Sequence, residues 1–285
     1  MPRNTIALLG ILLFSGVPWA QNPSQKPARI SDASLHQSSS GPNSFAFGSD
    51  AERKLFDLAN QARIEAGLSP LQADEGLTRA ARAHAAAMAA QQQLSHQLPG
   101  EPALPQRLAA ETKLHLDTAG ENVAYAATVE RAADNLMHSP QHRENLLSVD
   151  YNVAGFAVVQ SGPRLYVVQD FGHSLPSFSV RQADSAITDG INHMRADAAL
   201  PNLQRADDAA AKSLACAMAN ADSLKTPSPG GRYILRYTAM QPENLPAGIS
   251  KIIADRALNS FSEGSCYAKT ASYPNGAYWV ALIFY

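Results

Sequence analysis

Beyond residue 49 the chain carries apolar stripes at helical spacing, followed by short, nearly continuous apolar runs. Leu55, Leu58, Ala59, Ala62 and Ala66 recur every three or four positions and so fall on one face of a helix. Ser49-Asp50-Ala51-Glu52 ahead of them has the form of a capping box, and Gly67 supplies a stop. A second helix is predicted to open at Asp74 and run through Leu77, Ala81, His84 and Met88. A third, capped by Thr128, passes through Ala132, Ala133 and Leu136 and ends at Pro140, whose ring cannot continue it. Residues 153–160 and 165–171 are apolar runs separated by Ser161-Gly162-Pro163-Arg164, which reads as a β-hairpin. Neither run alternates with polar residues, so both faces of the sheet should be buried under helices. The expected class is α+β, with the layers of an α-β-α sandwich.

The same order of pieces returns later in the chain. Leu58-Ala-Asn-Gln-Ala-Arg-Ile-Glu-Ala-Gly-Leu68 lies over Gly190-Ile-Asn-His-Met-Arg-Ala-Asp-Ala-Ala-Leu200, which matches Asn60 with Asn192 and Arg63 with Arg195. Leu71-Gln72 then falls on Leu203-Gln204, and Gly120-Glu121-Asn122-Val123 on Pro242-Glu243-Asn244-Leu245. The final run, 278–284, resembles 165–171, with Pro274-Asn275-Gly276 as its turn. This ordered series predicts a tandem arrangement: one intact domain over 49–173 and a truncated, degenerate repeat over 180–285. The stretch Ser139-Pro-Gln-His-Arg-Glu-Asn-Leu146 finds no counterpart in the second half.

The first 48 residues carry no such pattern. Residues 1–20 place Arg3 before an apolar run at 6–17, and Ala20 before Gln21, which is the layout of a secretory signal peptide. The run is too short to span a bilayer, so no transmembrane segment is expected in the mature chain. Residues 21–48 are rich in Ser, Pro, Gln and Asn and read as a disordered linker. An extracellular or periplasmic location follows. In an oxidising compartment the two cysteines, Cys216 and Cys266, either close into a disulfide or remain as two buried thiols. A net charge of −2 over 285 residues offers no basic surface for nucleic acid.

Candidate chemistry is concentrated in the first half, in Leu94-Ser95-His96, Gly120-Glu121-Asn122 and 139–147, stretches expected in loops or at helix ends. Two imidazoles and a carboxylate suffice for a Zn²⁺ site with an open position, or for a carboxylate-oriented general base. His84 sits on an apolar helix stripe and reads as a satisfied core histidine. Gln169 on a buried strand should satisfy a polar neighbour, Asn122 should fix the Gly120 turn, and Arg143 and Asn145 should tie their loop to nearby backbone. His115, His138, His173 and His193 read as solvated surface residues.

These pieces, together with Asn60-Gln-Ala-Arg63, His84-Ala85, Ser139-Pro140-x-His142-Arg143-x-Asn145-Leu146-Leu147 and Tyr166-Val-Val-Gln169-x-Phe171-Gly172, resemble the CAP superfamily (cysteine-rich secretory, antigen 5 and pathogenesis-related 1 proteins) in its bacterial branch. The resemblance covers residues 50–172 and implies an α-β-α sandwich with a cleft lined by two histidines and two acids, metal-binding in some members. Carried over, the cleft comprises His96, Glu121 and His142. Ser139 stands near the place of the second acid, which weakens any hydrolase assignment. The implied metal site is His96, His142 and Glu121 with Zn²⁺ or another divalent ion. Three functions follow as expectations. The first is a secreted binding module for a metal or a small-molecule, lipid or cell-envelope ligand. The second is a metal-assisted hydrolase of peptide, ester or glycan bonds with Glu121 or His142 in the catalytic role. The third is a non-catalytic structural or interaction protein.

Overall fold

The computed structural model describes residues 47–285 apart from 208, 228 and 229. The expected signal peptide and nearly all of the expected linker lie outside the described residues. The linker's last two residues are not free: Phe47 packs against Phe56, and the Gly48 N–H donates to Glu52 Oε2.

The first half begins with α1 (Asp50–Glu65), whose N-cap Ser49 accepts from the Glu52 N–H, as the capping pattern requires. A two-residue strand, β1 (Gln72–Ala73), leads to α2 (Glu75–Gln91), capped by Asp74 on the Leu77 N–H. A short α3 (Leu104–Glu111) precedes a long strand, β2 (His115–Ala126). Next come α4 (Val129–His138), capped by Thr128, and α5 (Pro140–Leu146). Pro140 thus both ends one helix and opens the next, since the first helical position needs no N–H donor. The hairpin of β3 (Val153–Ser161) and β4 (Arg164–Leu175) completes a sheet of order β1-β3-β4-β2.

The sheet is covered on both faces, as its apolar runs demanded. Leu55, Phe56, Ala59, Ala132, Leu136 and Leu146 of α1, α4 and α5 pack on the face carrying Ala124, Phe156, Val167 and Phe171. Ala81, Ala85 and Met88 of α2 pack on the face carrying Val123, Ala157, Tyr166 and Val168. Gly155 lets α2 approach, because a Cβ there would lie 2.0 Å from the Thr78 backbone nitrogen.

The second half contains α6 (Val180–Asp197), β5 (Gln204–Arg205), α7 (Ala209–Ala221), β6 (Tyr233–Ala239), α8 (Ile249–Ile253), β7 (Ser260–Ala268) and β8 (Ala277–Phe284). Its sheet has the order β5-β7-β8-β6, the same permutation as the first. Ile187, Ile191, Ile249 and Ile253 of α6 and α8 cover one face, while Leu214, Ala215 and Met218 of α7 cover the other. Gly264 admits α7 as Gly155 admits α2. Cys216 on α7 and Cys266 on β7, with Cα atoms 5.1 Å apart, are joined in a disulfide.

Two sequence expectations need correction here. Glu243-Asn244 does not occupy the place of Glu121-Asn122. In each sheet the first edge strand's last bond marks a row: Asp74 N–H to Ala154 O, and Ala206 N–H to Phe261 O. Those rows pair Gly120 with Phe171 and Tyr233 with Phe284, so the residues after them, Glu121 and Ile234, correspond. Glu243-Asn244 forms a turn beyond β6. Second, the 139–146 segment does have a positional equivalent. Arg63 donates to Leu146 O and Ser148 O after α5, and Arg195 donates to Ile253 O and Asp255 O after α8. Between β6 and α8, however, the described residues include no helix like α4.

Candidate functional site

The site is built around β2, the outer strand of its sheet, so that residues from both layers reach it around an edge. This is the first departure from the sequence reading: Gly120, Glu121 and Asn122 lie within a strand, not in a loop. Their side chains alternate between the faces. Glu121 points to the α2 side and Asn122 to the α5 side.

On the α2 side, Glu121 is 6% exposed and both of its oxygens are engaged. Oε1 accepts from His96 Nδ1 at 2.9 Å, and Oε2 forms a short ion pair with Arg107 Nη2. Arg107 comes from α3 and is itself buried. Its other terminal nitrogen donates to His96 O at 3.0 Å and lies 3.1 Å from Glu101 Oε2 and from His84 Nδ1. His84 is satisfied on both ring nitrogens, by Glu101 Oε1 at 2.8 Å and Ser95 O at 2.9 Å. The core reading of His84 therefore holds, but its neighbours belong to the site. Directly across the strand pairing from Glu121 lies Asp170, 1% exposed, whose oxygens reach no ordinary hydrogen-bonding partner. Burial first, then the Glu121 charge, raise the Asp170 carboxyl well above the usual range.

On the α5 side, Asn122 Nδ2 donates to His142 O and to Gln169 Oε1, and Asn145 Nδ2 donates to Asn122 Oδ1 and Glu121 O. Asn122 thus anchors α5 rather than a Gly120 turn. Gln169 and Asn145 have the tying roles expected of them. Ser139 joins α4 to α5, half-buried, and its side chain makes no capping bond.

Of the three proposed metal ligands, His96 and Glu121 are in direct contact, and His142 lies close enough to feel the His96 charge. The His96 ring is largely exposed, with 61% of its side-chain surface open. Its hydrogen bond to Glu121 raises its pKa, while burial and then the His96 charge lower that of His142. The pair therefore offers one readily protonated and one neutral imidazole. A three-ligand metal site does not fit this donor set, because Glu121 already neutralises a guanidinium and holds an imidazole N–H. No group of three or more His, Cys, Asp or Glu among the described residues is arranged to hold a metal ion.

Sequence reasoning missed Arg107, Glu101 and Asp170. The signal for Asp170 was present: an acid inside the buried run 165–171 must lose its charge or find a partner. His115 was misjudged as a surface residue; it is 2% exposed, enclosed by Tyr267 and Tyr278 of the second half. His138 and His193 are exposed as expected, and His173 pairs with Asp117 at 2.8 Å.

Residues 56–171 match the family described as CAP, the cysteine-rich secretory protein family. These residues form a CAP-family domain. The uncharacterized protein YkwD of Bacillus subtilis (strain 168) is 35% identical over 112 residues, which cover 39% of this chain and 43% of that protein. The uncharacterized membrane protein YlbC of the same organism is 32% identical over 122 residues, covering 42% and 34%. The matches thus span less than half the length of these curated relatives. Among solved structures, an extracellular protein containing a SCP domain from Bacillus anthracis str. Ames shares 27% identity over 44% of this chain and 40% of that one, with a TM-score of 0.41. No helix among the described residues is long and apolar enough to cross a membrane.

Proposed function

We propose that this is a secreted binding protein whose CAP domain captures a small anionic component of the cell envelope at the His96–His142 face, and whose second half is a degenerate copy of the domain that braces the first. The observation that carries the reading is the fixed orientation of His96. Glu121, held from behind by Arg107, accepts a hydrogen bond from Nδ1–H and leaves Nε2 of the largely exposed ring for a ligand. A protonated donor beside a neutral imidazole suits a carboxylate or phosphate oxygen. A divalent ion on the two imidazoles alone would be a weaker site, because Glu121 would serve only to orient His96. The repeated strand order and the matching Arg63 and Arg195 support the degenerate copy.

The test follows the imidazole resonances of His96 and His142 by NMR while a muramyl peptide, inorganic phosphate or Zn²⁺ is added. The muramyl peptide or phosphate is expected to move both rings, and His96→Gln should weaken that binding about tenfold or more, the value of one charge-assisted hydrogen bond. Rings that respond to neither anion would overturn the reading; rings that respond only to Zn²⁺ would replace it with a metal site.

The Glu121–His96 pair also favours one catalytic reading: a carboxylate-oriented imidazole whose free Nε2 takes a proton from water. That reading requires hydrolysis of an ester, peptide or glycan to fall in both His96→Ala and His142→Ala. Turnover unchanged in both variants eliminates it.

A further inference from the structure

The geometry points to Lys269, in the second half, as a positioning residue for the site in the first, acting through α3 and Arg107. Lys269 follows β7, in the loop that joins it to β8. Its Nζ donates to two carbonyls at the C-terminal end of α3, Ala109 O and Thr112 O, each at 3.0 Å. The last carbonyls of a helix have no partner within it, and the negative end of the helix dipole attracts a cation. One ammonium therefore closes off the helix that carries Arg107, the residue paired with Glu121 and bonded to His96 O.

The support behind Lys269 is itself stiff. Thr270 Oγ1 donates to Asp222 Oδ1 and the Ser272 N–H to Asp222 Oδ2, which fixes the loop to the end of α7. The Cys216–Cys266 disulfide ties α7 to β7 three residues before Lys269. Burial lowers the Lys269 pKa, so it is the two short contacts that hold the ammonium in place. On α3 itself, Arg79 takes another carbonyl, Glu111 O at 2.7 Å, and buried Leu108 holds the middle of the helix. Losing Lys269 should loosen the end of α3 without unseating it, and the loosening reaches Arg107 one turn away.

This inference rests on the reading that His96 and its neighbours form the binding face, yet it can be tested without any ligand. The experiment is an NMR titration of the His96 imidazole in the full chain, comparing wild type with Lys269→Met, Lys269→Arg and Arg107→Gln. The groups acting on His96 are Glu121, Arg107 and His142. Weakening the hold of Arg107 removes a repelling cation and frees Glu121 for His96. Arg107→Gln should therefore move the His96 midpoint upward, Lys269→Met should move it the same way by less, and Lys269→Arg should stay near wild type. A Lys269→Met curve superimposed on wild type, with Arg107→Gln displaced, would reduce Lys269 to a simple tether between the halves. An unmoved Arg107→Gln curve would overturn the coupling altogether. If Lys269→Met does not fold, Asp222→Asn loosens the same loop from outside the contact, and its His96 midpoint must also rise.

Discussion

The two sheets are built alike and filled differently. Both have a two-residue parallel edge strand, a central hairpin and a third long strand in the same order, and both carry an arginine buried among backbone carbonyls. Arg63 donates to Ser69 O, Leu146 O, Ser148 O and Tyr151 O, and Arg195 to Pro201 O, Ile253 O and Asp255 O. The rows that hold Glu121 and Asp170 in the first sheet hold Ile234 and Ile283 in the second. Asn60 exchanges two bonds with the Leu71 backbone, while the matching Asn192 leaves its Oδ1 buried without a partner. The difference separates two demands on one architecture. The arginine satisfies the carbonyls of the chain entering the sheet and is needed wherever the fold is built. The second sheet has buried acids of its own, Glu263 beside Arg205 and Asp184 beside Lys212, but none in the row that matches Glu121 and Asp170.

Removing each arginine in turn tests whether the two halves depend on it equally. Arg63→Met and Arg195→Met each keep the side chain's bulk but strand several buried carbonyls. Each should cost about 3–5 kcal/mol, as when one partner of a buried charged network is deleted. Urea unfolding followed by near-UV circular dichroism measures both. Arg63, with four acceptors, should cost more than Arg195, with three. A negligible loss for Arg195→Met would mean that the second half only resembles the first in outline.

How much of this was legible in the sequence depends on which force dominates at each residue. Helices α1, α2 and α4 could be read because their stripes and their caps, Ser49, Asp74 and Thr128, agree. The β3–β4 hairpin could be read because its runs are buried on both faces. Strand β2 could not, because most of it, from His115 to Asn122, is largely polar: side chains there serve the site and the contact with the second half. The same cause misplaced Glu243-Asn244, since a three-residue likeness carries no register and only strand pairing supplies one. His96 and Glu121 were recognised by family resemblance. Arg107 was not, because a buried guanidinium looks in sequence like any helix-surface arginine until its acids are located in space.

A finer test exchanges the acid for what the second sheet tolerates. Burial and the Glu121 charge hold the Asp170 carboxyl well above its usual range in the folded protein, whereas in the unfolded chain it loses its proton above about pH 3.9. The folded state therefore binds the extra proton, and stability declines as pH rises from that value through the folded pKa. Asp170→Asn removes the titration while keeping the shape. The variant should gain stability over wild type on the order of 1 kcal/mol at pH 8, with the gap closing toward pH 4. Urea midpoints of the two proteins across this range decide it. A variant less stable at pH 8 than at pH 4, relative to wild type, would show that the charged form of Asp170 is the one the site holds.

The smallest effect concerns the join between the halves, where His115 of the first sheet packs against the second. His115 is enclosed by Tyr267 and Tyr278, with ring centroids 5.1 and 5.8 Å away. Burial lowers its pKa most strongly and Lys269 adds to that, against the opposing pull of the Gly276 backbone and Asp117. In the unfolded chain the imidazole gains its proton as pH falls through about 6.5, but the folded protein resists until lower pH. Stability contributed here is complete above that value and drains away below it. His115→Phe preserves the edge contacts with both tyrosines and cannot titrate, so its urea midpoint should fall less than wild type's between pH 7.5 and pH 5. His142 also loses stability on acidification, but it is present in both proteins, so the difference between them isolates His115. Equal falls would mean that the imidazole titrates in the folded protein as it does in the unfolded chain, and the contact between the halves would then be indifferent to acid.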